Sequence, residues 1–288
     1  MKLTSLFAAG ACAFASLALG TPAAAQAPCP DFEITGEGPD LVLVPGLGSS
    51  PEVWDQTVES LSSDYRIHRV HVAGFAGREP SGEPETLVDR TVQEIILHLD
   101  CKGIQNALYA GHSMGGFLGL KLASEHAERI EQLVVVDALP FYPLIFSPLA
   151  TVDTVRPQAD GFRTQILAQE DAPFEASQRA GVRSLVKETA YHDKVIGWSV
   201  ASDRATFAGA IHALMTTDLR GELESIVAPT TVIVAANPFA PRERMERLYT
   251  GAYVGLDGVK IEIVEDSYHF IMFDQPEAFE AKLRAALK

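Results

Sequence analysis

Cysteine and positive charge are both scarce in this chain. It has three cysteines, Cys12, Cys29 and Cys101, and none of them forms a C-x-x-C pair. H-E-x-x-H is absent as well, so no metal-ligand spacing is present. There is no phosphate-cradling G-x-x-x-x-G-K loop, and no G-x-G-x-x-G follows a strand-like run. Neither a metal nor a cofactor is expected. Lys and Arg number 23 against 38 Asp and Glu, a formal net charge of −15. That balance argues against nucleic acid and anionic membrane surfaces as partners, since both need basic patches. No run reaches the ~20 apolar residues of a membrane-spanning helix, so no stable membrane anchor is expected. What remains is an ordinary globular composition, 47% hydrophobic and 21% charged, over 288 residues. That length suits one large domain, or one domain with an insertion.

The N-terminus reads as an address rather than as structure. Met1-Lys2 supplies a positive start, Leu6 to Leu19 is an Ala-rich apolar run, and Thr21 to Ala25 ends in an A-x-A site. Residues 1–25 therefore read as a secretory signal peptide, with cleavage after Ala25, or alternatively after Ala27. Cys12 lies inside the apolar run, which continues past it, so it does not resemble a lipid-anchor cysteine. The mature chain, 26–288, is expected in a bacterial periplasm or secreted beyond it. Two cysteines then remain, and an exported protein with Cys29 and Cys101 suggests a disulfide. Two separate buried thiols are the alternative.

The most informative stretch runs from Asn106 to Gly116, with Gly111-His112-Ser113-Met114-Gly115 fitting G-x-S-x-G. It reads as a strand, a very tight turn and the start of a helix. Glycines let the two elements approach and leave the serine at the tip. Around it, apolar runs at Leu41–Val44, Leu133–Val136 and Thr230–Ala235 alternate with amphipathic segments such as Thr86–Leu99. Alternation of this kind predicts a mostly parallel sheet with helices on both faces. The rhythm breaks over about 138–201, where prolines and helical fragments predict a helical cap. A helix from Arg204 to Met215 is expected to resume the pattern.

With the nucleophile turn, glycine loop and cap in this order, residues 31–288 resemble the α/β-hydrolase fold family. Gly46-Leu47-Gly48 matches its oxyanion loop, and Ser267-Tyr268-His269-Phe270 matches its histidine loop. The resemblance implies a serine hydrolase with Ser113 as nucleophile and His269 as base. The backbone N–H groups of Leu47 and Met114 would form the oxyanion hole. Two places depart from the family. Its oxyanion loop usually begins His-Gly, where this chain has Pro45-Gly46. Its acid most often follows the strand after the cap, where this chain has Asn237. Some members carry the acid after the strand that follows the nucleophile helix, which is Asp137 here. Asn237 and Asp266 are the alternatives. Phe141, Tyr142, Ile145 and Phe146 open the cap and read either as a substrate pocket or as cap core. His112 flanks the nucleophile and is expected to shape its turn. His68 and His71 have no partner pattern for a metal, and His98, His126, His192 and His212 read as surface or packing residues. The implied substrate is a small-molecule ester, small to medium and apolar. A lactone, amide or C–C substrate, or a low-turnover binding role, are the alternatives.

Overall fold

The structure is a computed structural model and describes residues 28–288. The expected signal peptide lies outside the described residues. Among these residues, seven strands form one sheet: β1 (Glu33–Thr35), β2 (Asp40–Val44), β3 (Arg66–Arg69), β4 (Ala107–His112), β5 (Ile130–Val136), β6 (Thr230–Ala235) and β7 (Lys260–Val264). Their order is β1-β3-β2-β4-β5-β6-β7. Edge strand β1 is antiparallel to β3, and the other neighbours pair parallel. Val44 lies beside Gly111, and His112 beside Val136. The C-terminal ends of β2, β4 and β5 are therefore level, and the loops that follow them share one edge of the sheet.

The helices are α1 (Asp55–Leu61), α2 (Leu87–Lys102), α3 (Met114–Glu125), α4 (Val152–Ala168), α5 (Asp171–Leu185), α6 (His192–Val200), α7 (Arg204–Thr216), α8 (Arg242–Ala252), α9 (Ile271–Asp274) and α10 (Pro276–Ala286). Successive strand residues point to opposite faces, so each apolar run feeds two cores. Val42, Val44, Val135 and Val232 join the side chains of α2, α3 and α8 on one face. On the other, Leu41, Leu43, Val134 and Ile233 join those of α6, α9 and α10. This explains why the strands read as continuous apolar runs rather than alternating ones.

The cap connects β5 to β6. Helix α7 was expected to return the chain to the sheet pattern, but it packs chiefly against α4. Its small residues permit close approach. A Cβ on Gly209 would stand 2.7 Å from the carbonyl oxygen of Pro84. Helical spacing identifies an apolar face but not its partner, and α7 meets Pro84–Thr86 and α2 as well as α4.

Cys29 and Cys101 form a disulfide, with Cα atoms 6.0 Å apart, that closes 72 residues. It fastens the N-terminal segment to the end of α2. Replacing both cysteines by serine is expected to destabilise the protein by up to about 4 kcal/mol, about 10 °C in Tm by thermal melting.

Beside this bridge lies a buried chain of polar groups. His68 Nε2–H donates to Asp40 (2.7 Å), and His68 Nδ1 is 2.9 Å from His98 Nε2. The ring of Phe32 stacks on His98 at 4.2 Å. Burial, with positive His68 and Lys102 nearby, pushes His98 down to about 4. The unfolded histidine takes up a proton near pH 6.5 and the folded one does not. The resulting stability is fully present above pH 6.5 and is lost as pH falls toward 4. Its size is on the order of 2–3 kcal/mol. Thermal melts from pH 7 to 4.5 should show the fall, and His98→Gln should make it shallower without removing it, since buried His68 and His112 are shifted in the same direction.

Candidate active site

Strand β4 passes into α3 through a single residue, Ser113. Its φ of +54° lies in the region that L-residues rarely adopt. The two flanking glycines are sterically required. A Cβ on Gly111 would come within 2.2 Å of the Gly115 carbonyl oxygen, and one on Gly115 within 2.3 Å of that of Val44. The Ser113 N–H donates to Val136 O at 2.8 Å, tying the turn to the end of β5. Met114 opens α3, where the first N–H groups have no intrahelical acceptor and the helix dipole favours negative charge. Leu47 lies in the loop after β2, a turn closed by Ser49 N–H donating to Gly46 O (3.2 Å). Leu47, Ser113 and Met114 line one cavity.

His269 enters the same cavity from the loop between β7 and α9. Its Nδ1 lies 2.7 Å from Asp137 Oδ2. A carboxylate can only accept, so Nδ1 carries a proton, and in the neutral ring Nε2 is the nitrogen left with a lone pair. The other carboxylate oxygen, Oδ1, accepts from Ala235 N–H (3.1 Å) and from the Tyr249 hydroxyl (3.2 Å). Asp137 has a φ of +48°, a second strained position at the same sheet edge.

The other two residues weighed for the acid are engaged elsewhere. Asn237 donates to Ser267 O (3.2 Å) and accepts from the N–H groups of Phe239 (2.9 Å) and Ala240 (3.0 Å). Asp266 pairs with Lys187. Of the three, the structure brings Asp137 to His269.

Two more side chains hold the histidine loop. His112 is fully buried and donates from Nε2 to the His269 carbonyl oxygen (3.0 Å). Burial, followed by the charge of His269, pushes its pKa well below the ordinary value, so it stays neutral. Asp274 accepts from Tyr268 N–H (2.7 Å) and from the N–H groups of Lys187 (2.9 Å) and Glu188 (3.1 Å). It thereby ties the histidine loop to the segment following α5.

The cavity measures about 550 Å³. Tyr142 and Ile145 line it, together with Phe162 of α4, Leu214 of α7 and Met245 of α8. Phe141 and Phe146, named with them from sequence as pocket residues, do not. Residues Tyr142–Ile145 form one 3₁₀ turn, in which positions three apart eclipse. Tyr142 and Ile145 therefore share the cavity face. Phe141 and Leu144 turn to the core, where Phe141 is 0% exposed. Phe146 follows the turn and projects outward, 66% exposed.

Residues 41–282 match the family model described as the alpha/beta hydrolase family. The chain belongs to this family. One relative is the pimeloyl-[acyl-carrier protein] methyl ester esterase of Yersinia enterocolitica, 28% identical over 86% of this chain and 93% of that protein. The enzyme of the same name from Vibrio atlanticus is 31% identical, but over 41% of this chain and 43% of its own length. Among solved structures, the enol-lactonase from Burkholderia xenovorans LB400 superposes with a TM-score of 0.73. It is 22% identical over 89% of this chain and 95% of that one. This last likeness concerns the fold.

Within this alpha/beta hydrolase, sequence reasoning missed Tyr249 and Asp274. Tyr249 lies on an amphipathic helix and reads as packing, and its contact to Asp137 spans 112 residues. Asp274 carried a weak local signal, in that it stands at the foot of the histidine loop.

Proposed function

We propose that this alpha/beta hydrolase is a serine esterase that works through an acyl-enzyme on Ser113. The observation that carries the reading is the 2.7 Å Asp137–His269 hydrogen bond inside the cavity that holds Ser113. His269 Nε2 takes the hydroxyl proton as Ser113 Oγ attacks the ester carbonyl. Asp137 fixes the imidazole tautomer and stabilises the imidazolium that forms. Backbone N–H groups of Met114 and Leu47 receive the oxyanion, each contributing about 10²–10³ in turnover. The alcohol leaves with the proton held on His269. Water, activated in turn by His269, hydrolyses the acyl-enzyme.

The substrate in this reading is a small to medium apolar ester. The cavity volume and its aliphatic and aromatic lining suit such a ligand. Similarity to proteins named as methyl ester esterases supports ester chemistry. We also propose that the protein is exported. The leader pattern of residues 1–25 supports this, as does the Cys29–Cys101 bridge, since disulfides persist in oxidising compartments. A panel of p-nitrophenyl esters of increasing chain length, set against lactones, tests the reaction on the mature protein. Highest kcat/KM is expected on short or medium acyl esters. Faster turnover of lactones than of any ester would move the assignment to lactone hydrolysis.

A further inference from the structure

We infer that Tyr249 is a positioning residue for the catalytic acid, orienting Asp137 toward His269 through its hydroxyl. The inference rests on the serine-esterase reading above and concerns how that site is held.

Asp137 leaves the sheet at the end of β5, one strand before the place where Asn237 stands. Its carboxylate must therefore be held across the end of β6. The backbone does part of this. Asp137 N–H donates to Ile233 O (2.8 Å), and Ala235 N–H donates to Oδ1 (3.1 Å). One backbone donor fixes one lone pair, and the terminal torsion of an aspartate is broad. The Tyr249 hydroxyl supplies a second donor to the same oxygen (3.2 Å), leaving Oδ2 aimed at His269 Nδ1. Tyr249 is 2% exposed, so losing its hydroxyl leaves an acceptor without ready replacement by bulk water.

A neighbouring side chain reinforces the arrangement. Tyr253 follows one turn later, just past the end of α8, its ring nearly parallel to that of Tyr249 at 6.3 Å. Its hydroxyl donates to Ala138 O at 2.7 Å. The two tyrosines thus grip consecutive residues, the first of which, Asp137, is held at positive φ. Burial, and then the charge of Asp137, raise the Tyr249 phenol well above its ordinary value. It remains a neutral donor throughout the working range. The other titratable groups at this point are His269, bonded to Asp137, and His112, whose ring lies 4.6 Å from that of His269.

Tyr249 also lines the cavity, so a substrate contact is the competing explanation. The two differ in KM and in pH profile. With p-nitrophenyl butyrate and the mature protein, Tyr249→Phe is expected to lower kcat about tenfold with KM within about twofold. The acid limb of kcat/KM should move to lower pH, because a carboxylate no longer held toward Nδ1 stabilises the imidazolium less. Replacing Tyr249 by 3-fluorotyrosine keeps its shape and its donor, and should leave kcat and the limb close to those of the wild type. Unchanged kcat with an unmoved limb would overturn the inference, and so would a raised KM with unchanged kcat. A fluorotyrosine variant that behaves like Tyr249→Phe would overturn it as well. Wild-type protein that neither cleaves the ester nor labels at Ser113 would instead overturn the esterase reading and the inference together.

Discussion

Ser113→Ala is expected to abolish ester hydrolysis, lowering kcat by about 10⁶-fold while the protein stays folded. The size follows from the role of the group removed. Without Oγ there is no acyl-enzyme, and His269 has no hydroxyl to deprotonate. The remaining Met114 and Leu47 N–H groups and the apolar cavity still bind the substrate and polarise its carbonyl. A residual rate above that of water is therefore expected. Stability should change little, because the turn is set by Gly111 and Gly115 and by the Ser113 backbone bond to Val136. Stopped assays on freshly purified variant, with circular dichroism as the check on folding, measure both quantities. A fall of less than about tenfold would show that Ser113 is not the nucleophile.

The second large effect separates Asp137 from Asn237. Asp137→Asn is expected to lower kcat by about 10⁴-fold, because a neutral amide neither enforces the Nδ1–H tautomer nor stabilises the imidazolium. Geometry should survive, since an asparagine oxygen can still accept from Ala235 N–H and Tyr249. Asn237→Ala should leave kcat within a few-fold. Its side chain caps the Phe239 and Ala240 N–H groups and makes no bond to His269. The cost there is to the loop, roughly 1 kcal/mol of stability. The two variants assayed side by side with one ester decide the matter. Near-normal turnover in Asp137→Asn combined with its loss in Asn237→Ala would return the acid to the position after β6.

The difference between those two residues also marks how far the sequence reaches. The strands were legible because both faces of the sheet are covered, so Leu41–Val44 and Leu133–Val136 read as unbroken apolar runs. Gly111, Ser113 and Gly115 were legible because a strained turn admits few residue types. Asp137 was legible because it directly follows the apolar run of β5, and His269 because its loop resembles the histidine loop of the family. What joins them is not local. The Asp137–His269 bond spans 132 residues, and the Tyr249 bond behind it spans 112. Helical periodicity reports that Tyr249 is buried but not which polar group its hydroxyl meets. The same limit explains the cap. Phe141 and Tyr142 are adjacent and equally apolar, and only the phase of one 3₁₀ turn sends one to the core and the other to the cavity. His98 likewise read as a surface or packing residue. His98 lies on α2 while His68 and Asp40 come from β3 and β2, and it proves fully buried beside His68.

The central claim is that Ser113 is an activated nucleophile. Incubating the purified protein with a fluorophosphonate and mapping the adduct by peptide mass spectrometry tests it most directly. One adduct per chain, on Ser113, with ester hydrolysis lost in parallel, is the predicted result. An adduct on another residue would contradict the claim, as would ester hydrolysis that persists with no adduct at all.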